Sequence, residues 1–325
     1  MRPENRVRRR PRARIVPRVI DIPGGLATIQ AKVNGEAGRA FIAGLPALVE
    51  DFLGRWELRI DGPAMHGMTA LVLPVVAADG SRAVLKLQLL DEESAGEPVA
   101  LRLWNGDRAV RLLRYDEATG TMLLERLDPA RMLAHVPDTH ETVVVIARLL
   151  AHLTRLPAPP GLRRLGDIAG EMLEQVPWAL ERIPDPSQRR LVADCAAAVR
   201  EVVGEPGDRL LHWDLHDENV LAAADRGNGP VSDGGNGLAV DWRAIDPKPL
   251  AGDPCFELWP ALHNRYDPDD VLWRFDAMTE VLGLDRERAR AWTLGRVLQN
   301  ALWNVEDGEP QEADDLELAR RLRDR

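Results

Sequence analysis

Cysteine is nearly absent from the 325 residues: Cys195 and Cys255 are the two present. Two cysteines build no disulfide framework, so the chain is expected in a reducing compartment, the cytoplasm. No apolar run approaches the ~18 residues of a membrane span, so no membrane partner is expected. The arginine-rich first residues lack an apolar h-region and do not read as a secretory signal. There is no internal repeat. Lysine is scarce too, with Lys32, Lys86 and Lys248 set against 39 arginines. Where arginine is the default cation, a lysine kept inside an apolar strand, as Lys86 is, stands out.

What is there describes a globular protein. Hydrophobic residues make up 45% and charged residues 29% of the chain, which excludes disordered and collagenous classes. A chain this long suggests about two domains with a sizeable core. The charge divides unevenly. The first 18 residues hold eight arginines and one acid, Glu4, and read as a disordered extension. The rest has 34 basic and 51 acidic residues, net −17. Such a body repels nucleic acid and suits a cationic small-molecule partner.

Along the chain, residues 19–36 read as a loop with Pro23-Gly24-Gly25 and Asn34-Gly35. Gly38 to Leu53 has helical spacing. Strand patterns follow at 56–60, 71–77, 83–87, 110–113 and 121–125, with a helical stretch over 91–104. This predicts a small antiparallel sheet region over 19–127. The remainder, 128–325, is mainly helical, with helices at 139–153, 167–183, 187–203, 271–281 and 289–303. Ser187 is the expected N-cap of the third. Short strands lie near 210–212, 220–222, 238–240 and 244–246, and residues 226–237 hold five glycines in a turn.

The chemistry concentrates in His212-Trp213-Asp214-Leu215-His216-Asp217-Glu218-Asn219. An acid and an amide five residues apart, between two strands, suit phosphoryl transfer. The acid accepts the proton of the attacking hydroxyl, and the amide with a second acid holds Mg²⁺ against the nucleotide phosphates. Asp246, in Ala244-Ile245-Asp246-Pro247, supplies the second acid, and Asp241 is its rival. Lys86 fits the strand lysine that anchors phosphates, with Glu97 or Glu93 as the helical acid that orients it. Taken singly, Asp-x-x-x-x-Asn is usually a capped turn and Lys86 an edge lysine. Together they stand in the order a kinase requires. His212 and His216 read as hydrogen-bonding orienters of the loop.

These residues resemble the His-Gly-Asp-Leu-His-x-x-Asn motif of aminoglycoside phosphotransferases. Asp246-Pro247-x-Pro249-x-x-Gly252-Asp253-Pro254 is similar to the metal segment of the aminoglycoside/hydroxyurea kinase subgroup. The likeness runs over about residues 19–308, including Leu85-Lys86-Leu87-Gln88, Met122 to Asp128 and Leu298 to Trp303. It implies an α+β, two-lobed, protein-kinase-like fold with ATP in the cleft. Asp214 is then the catalytic base and Asn219 and Asp246 the Mg²⁺ ligands. Lys86 with Glu97 or Glu93 holds the phosphates, and Glu125 to Leu127 is the hinge that meets adenine. The implied reaction is phosphorylation of an aminoglycoside, at the 6-hydroxyl of streptomycin, by a cytoplasmic, monomeric resistance enzyme. Glu257, Glu306 and Asp307 are the candidate acids for its guanidinium groups. The alternatives are a hydroxyurea or sugar-amine kinase, or a non-catalytic nucleotide-binding protein. One departure is the phosphate loop, Asp61 to Thr69, which has two glycines and no Gly-x-Gly-x-x-Gly.

Overall fold

The computed structural model of the chain describes residues 20–224 and 240–323. The arginine-rich extension and the 226–237 turn lie outside the described residues. Two compact units separate between Leu89 and Leu90. The boundary expected at residue 127 therefore falls inside the second unit.

In the first unit, α1 (Gly24–Val33) and α2 (Gly35–Arg55) precede β1 (Leu58–Ile60), β2 (Met65–His66), β3 (Ala70–Ala77) and β4 (Arg82–Gln88). Helix α1 replaces the loop expected over 19–36. Pro23 and the two glycines sit at its start, where a missing N–H costs nothing, and Leu26 and Gln30 bury one face. Gly38 allows α2 to rest on α1, since a Cβ there would lie 2.1 Å from the Gln30 carbonyl oxygen. Strand β3 pairs antiparallel with β1, β2 and β4. Leu71, Leu73 and Val75 face Leu87, Leu85 and Ala83 across the β3–β4 ladder, and all six are buried. By strand alternation Lys86 lies on the other face of β4, opposite Val72. The glycine-poor 61–69 segment forms the β2 arm of a hairpin with β3, closed by Gly67 N–H donating to Ala70 O.

The second unit begins with α3 (Glu97–Trp104), β5 (Leu112–Asp116), β6 (Thr121–Glu125), β7 (Leu127–Met132) and α4 (Thr139–Leu153). It continues with β8 (Arg163–Arg164), α5 (Leu165–Arg182), α6 (Pro186–Val202), β9 (Arg209–Leu211), β10 (Val220–Ala223), β11 (Trp242–Ala244) and β12 (Leu250–Gly252). Four helices close it: α7 (Trp259–His263), α8 (Val271–Leu282), α9 (Arg286–Asp307) and α10 (Ala313–Arg323). Asp185, not Ser187, caps α6, accepting from the backbone N–H groups of Ser187 and Gln188. Ser187 already lies inside the helix, behind Pro186. The last helix, α10, shows no clear helical pattern in the sequence because charged residues outnumber apolar ones on it. Its Leu316, Leu318, Ala319 and Leu322 are buried all the same. The core joins α4, α5, α6 and α9, with Trp292 and Leu298 of α9 and Leu191 and Val199 of α6 all buried.

Two small sheets hold the part of this unit that matters for chemistry. Strands β7, β10 and β11 form one, and β8, β12 and β9 the other. The fold is α+β, with an antiparallel-sheet N-terminal region and a larger helical C-terminal region. Both cysteines are buried free thiols. Among the described residues no helix is long and apolar enough to cross a membrane.

Candidate active site

Residues 212–219 link β9 to β10, so each end of the segment is pinned by a sheet. Between them the backbone is held by side chains. His212 is fully buried. Its Nδ1 accepts from the Asp214 N–H at 3.4 Å and its Nε2 donates to the Ile245 carbonyl at 3.1 Å. Burial pulls this imidazole down to about 4, so it is neutral and carries its proton on Nε2. His216 Nε2 accepts from Asn219 Nδ2 at 3.0 Å. Both histidines orient the segment, as expected.

Trp213 has φ +69°, a left-handed conformation that a bulky residue adopts at a cost of about 1–2 kcal/mol. The surroundings over-determine it. Its N–H donates to Glu257 Oε2 at 2.7 Å, and the neighbouring His212 N–H donates to Glu257 Oε1 at 2.5 Å. The guanidinium groups of Arg163 and Arg296 both lie over its ring, at 4.6 and 4.5 Å from the centroid. Burial pulls Arg296 down to about 10, which leaves it charged at neutral pH.

Glu257 was expected to bind substrate, and the structure corrects this. It is fully buried and both of its oxygens are spent on the loop backbone. It braces the site from behind. Burial raises its carboxyl to about 7, against the two N–H donors that favour its charge. The folded value lies above the ordinary one. This contribution to stability is therefore full below about pH 4.5 and is lost as pH rises through 7. Glu257→Gln removes the titration and leaves one backbone donor unmatched, which costs roughly 1–3 kcal/mol. Melting curves should show wild-type Tm falling relative to the variant between pH 5 and 8. A pH-independent gap would refute the raised value.

The business end of the loop is Asp214. Its Oδ2 is 2.8 Å from Lys248 Nζ. Burial works against the lysine's charge, but the carboxylates of Asp214, Asp246 and Glu93 outweigh it and hold the ammonium above its ordinary value. Asn219 Nδ2 donates to the Asp214 carbonyl at 2.9 Å. A carbonyl only accepts, so the amide nitrogen must face it and the amide oxygen turns elsewhere. The Ile245 N–H donates to the Asn219 carbonyl, which places Asp246 at the Asn219 end of the β10–β11 ladder. Asp246 has φ +57°, a conformation aspartate tolerates. Asp241 sits at the other end, opposite Ala223. Its carboxylate is gripped by Arg243 at 2.7 and 3.1 Å and approached by Arg108 at 3.5 Å. The loop is also tied from outside by Arg265, 2.7 Å from the buried Asp217.

The remaining expected residues fall as follows. Lys86 is buried on β4, and Glu97 is buried at the start of α3. Glu93 is half-buried, with its carboxylate 3.8 Å from Arg163. Glu125 ends β6 and Leu127 begins β7, so the expected hinge is the short link between two strands. Glu306 and Asp307 are exposed in the last turn of α9. They lie three and four residues beyond Trp303, hence on its face of the helix. The Trp303 ring is exposed and meets the Trp213 ring edge-on, with centroids 6.4 Å apart. Sequence reasoning missed Lys248, Arg163 and Arg296. The rarity of lysine and the flanking prolines were a signal for the first, and the arginines gave none.

Residues 55–308 match the family profile for aminoglycoside/hydroxyurea antibiotic resistance kinase. The chain belongs to this family. A hydroxyurea phosphotransferase of Kitasatospora aureofaciens is 59% identical over 293 residues, 90% of this chain and 82% of that protein. A streptomycin 6-kinase of Streptomyces glaucescens is 55% identical over 299 residues, 90% of this chain and 93% of that one. Among solved structures, a thermostable mutant of aminoglycoside phosphotransferase APH(4)-Ia, in complex with ADP and hygromycin B, aligns with TM-score 0.53 at 14% identity. The alignment covers 85% of this chain and 96% of that one. At that identity the likeness is one of fold, and the fold is protein-kinase-like. As a member of the resistance-kinase family the chain is a phosphotransferase.

Proposed function

We propose that this kinase transfers the γ-phosphoryl group of ATP to the 6-hydroxyl of streptomycin. The observation that carries the chemistry is the convergence of Asp214, Asn219 and Asp246 at one end of the β10–β11 ladder. Asp214 is the base that takes the hydroxyl proton, and the 125–127 link meets the adenine.

The donor set fits Mg²⁺. Asn219 offers the amide oxygen left over when its Nδ2 faces the Asp214 carbonyl and His216, and Asp246 offers a carboxylate at the same end of the ladder. Both are hard oxygen ligands. Magnesium draws its remaining ligands from phosphates and water. When bound, it neutralises charge on the phosphoryl oxygens.

The substrate rests on 55% identity to a streptomycin 6-kinase over most of both chains. Glu306 and Asp307, on the Trp303 face of α9, are the acids left to meet its guanidinium groups. A second reading has its own support: the hydroxyurea phosphotransferase is 59% identical, and a small neutral acceptor needs no acidic wall. Mass spectrometry after incubation with ATP and Mg²⁺ separates them. Streptomycin should gain one phosphate and hydroxyurea none. Neutralising Glu306 and Asp307 together should then raise KM for streptomycin several-fold with little change in kcat, the mark of uniform binding. Phosphorylation of hydroxyurea alone would establish the second reading.

A further inference from the structure

Lys248 is one of three lysines in the chain, and its Nζ lies 2.8 Å from Asp214 Oδ2, across 34 residues of sequence. Its backbone N–H donates to the His212 carbonyl at 3.1 Å, which stitches the 246–249 segment to the front of the loop. Pro247 and Pro249, both buried, flank it. Each proline fixes its own φ, and Pro249 also restricts Lys248 to extended backbone. The ammonium is therefore delivered by a stiff strap rather than a free loop.

We propose that Lys248 is a positioning residue for phosphoryl transfer: it engages Oδ2 of Asp214, so that Oδ1 is presented to the acceptor hydroxyl. The inference rests on the reading of Asp214 as the base. The choice of lysine has a physical reason in a chain that otherwise uses arginine thirteen times as often. A guanidinium is a planar fork that grips both oxygens of a carboxylate. Arg243 does this to Asp241, with Nε on one oxygen and Nη2 on the other. An arginine at 248 would occupy the oxygen that the hydroxyl needs. An ammonium is a point donor and takes one. Phosphoryl transfer through a loose transition state depends on placing the nucleophile more than on covalent help from the base. A carboxylate free to rotate therefore loses much of its use.

The test is a mutant cycle in the full-length chain, with single-turnover transfer measured on whichever acceptor the mass-spectrometric assay shows to be phosphorylated. Lys248→Met should lower the transfer rate by about 10²-fold, the order that a 1 Å misplacement costs. KM for ATP and for acceptor should stay within a few-fold, and ADP binding and Tm should be close to wild type. Lys248→Arg, which keeps the charge, should not restore the rate. Adding Lys248→Met to Asp214→Asn should cost nothing further, because the lysine acts through that carboxylate. A structural role would instead multiply the two losses and move Tm. If Asp214→Asn is crippled while Lys248→Met turns over normally, or the double variant falls by both factors, the lysine's role is overturned and the base stands. Rescue by Lys248→Arg overturns the geometric argument even if Lys248→Met fails to fold. A normal rate in Asp214→Asn overturns the base assignment, and this inference with it.

Discussion

Asp214→Asn should lower phosphoryl transfer by about 10²–10⁴-fold, the contribution typical of a positioned general base. The substitution is nearly isosteric. Its amide oxygen can still face Lys248 Nζ, now 2.8 Å from Oδ2, and the backbone carbonyl that receives Asn219 is untouched. The fold and nucleotide binding should therefore survive. What goes is the carboxylate assigned to take the acceptor's proton. His212 cannot replace it: both ring nitrogens are engaged and the ring is buried. Single-turnover assays with calorimetric titration of ADP check both halves. Near-wild-type transfer with intact binding would remove Asp214 from the mechanism.

Asp246→Ala should cost about 10²–10³-fold and raise the Mg²⁺ concentration needed for half-maximal rate. A metal contributes several kcal/mol of charge stabilisation, and each 1.36 kcal/mol is tenfold in rate. Asp241→Ala is the control. From Asn219 to Ala223, the residue opposite Asp241, is four residues along β10, about 13 Å at strand rise. The Asp241 carboxylate already answers Arg243 and Arg108. Its removal takes a carboxylate from two largely buried guanidiniums and should cost about 1–3 kcal/mol of stability, with no change in metal requirement. Rates measured across a Mg²⁺ titration decide between the two acids. If Asp241 shifts the titration and Asp246 does not, the metal site belongs at the far end of the hairpin.

Much of this was legible before any coordinates. The 3.6-residue apolar period of 139–153 coincides with α4 residue for residue. Apolar strand patterns locate β3, β4 and β6 within two residues. Helices α1 and α10 escape the sequence pattern for identifiable reasons. Pro23-Gly24-Gly25 looks like a turn, and only the burial of Leu26 and Gln30 against their surroundings makes it a helix start. On α10 the charged residues mask an apolar stripe that is narrow but fully used.

The order of chemical groups along the chain, strand lysine, helical acid, Asp-x-x-x-x-Asn and second acid, was determined by sequence alone. Each of those relations is local to one strand, one turn or one hairpin, and local spacing obeys fixed periods. What each acid faces was decided by the tertiary structure. Glu257 and Asp307 are both acids in the same C-terminal region, yet one is walled in behind His212 and Trp213 and the other is in solvent. The partners that settle the site lie 34 residues apart in Lys248 and Asp214, and 45 and 44 apart in Glu257 and the two N–H groups it receives. No periodicity reaches across such distances. Burial and pairing there depend on where the chain returns, and that is set by the packing of the whole helical unit.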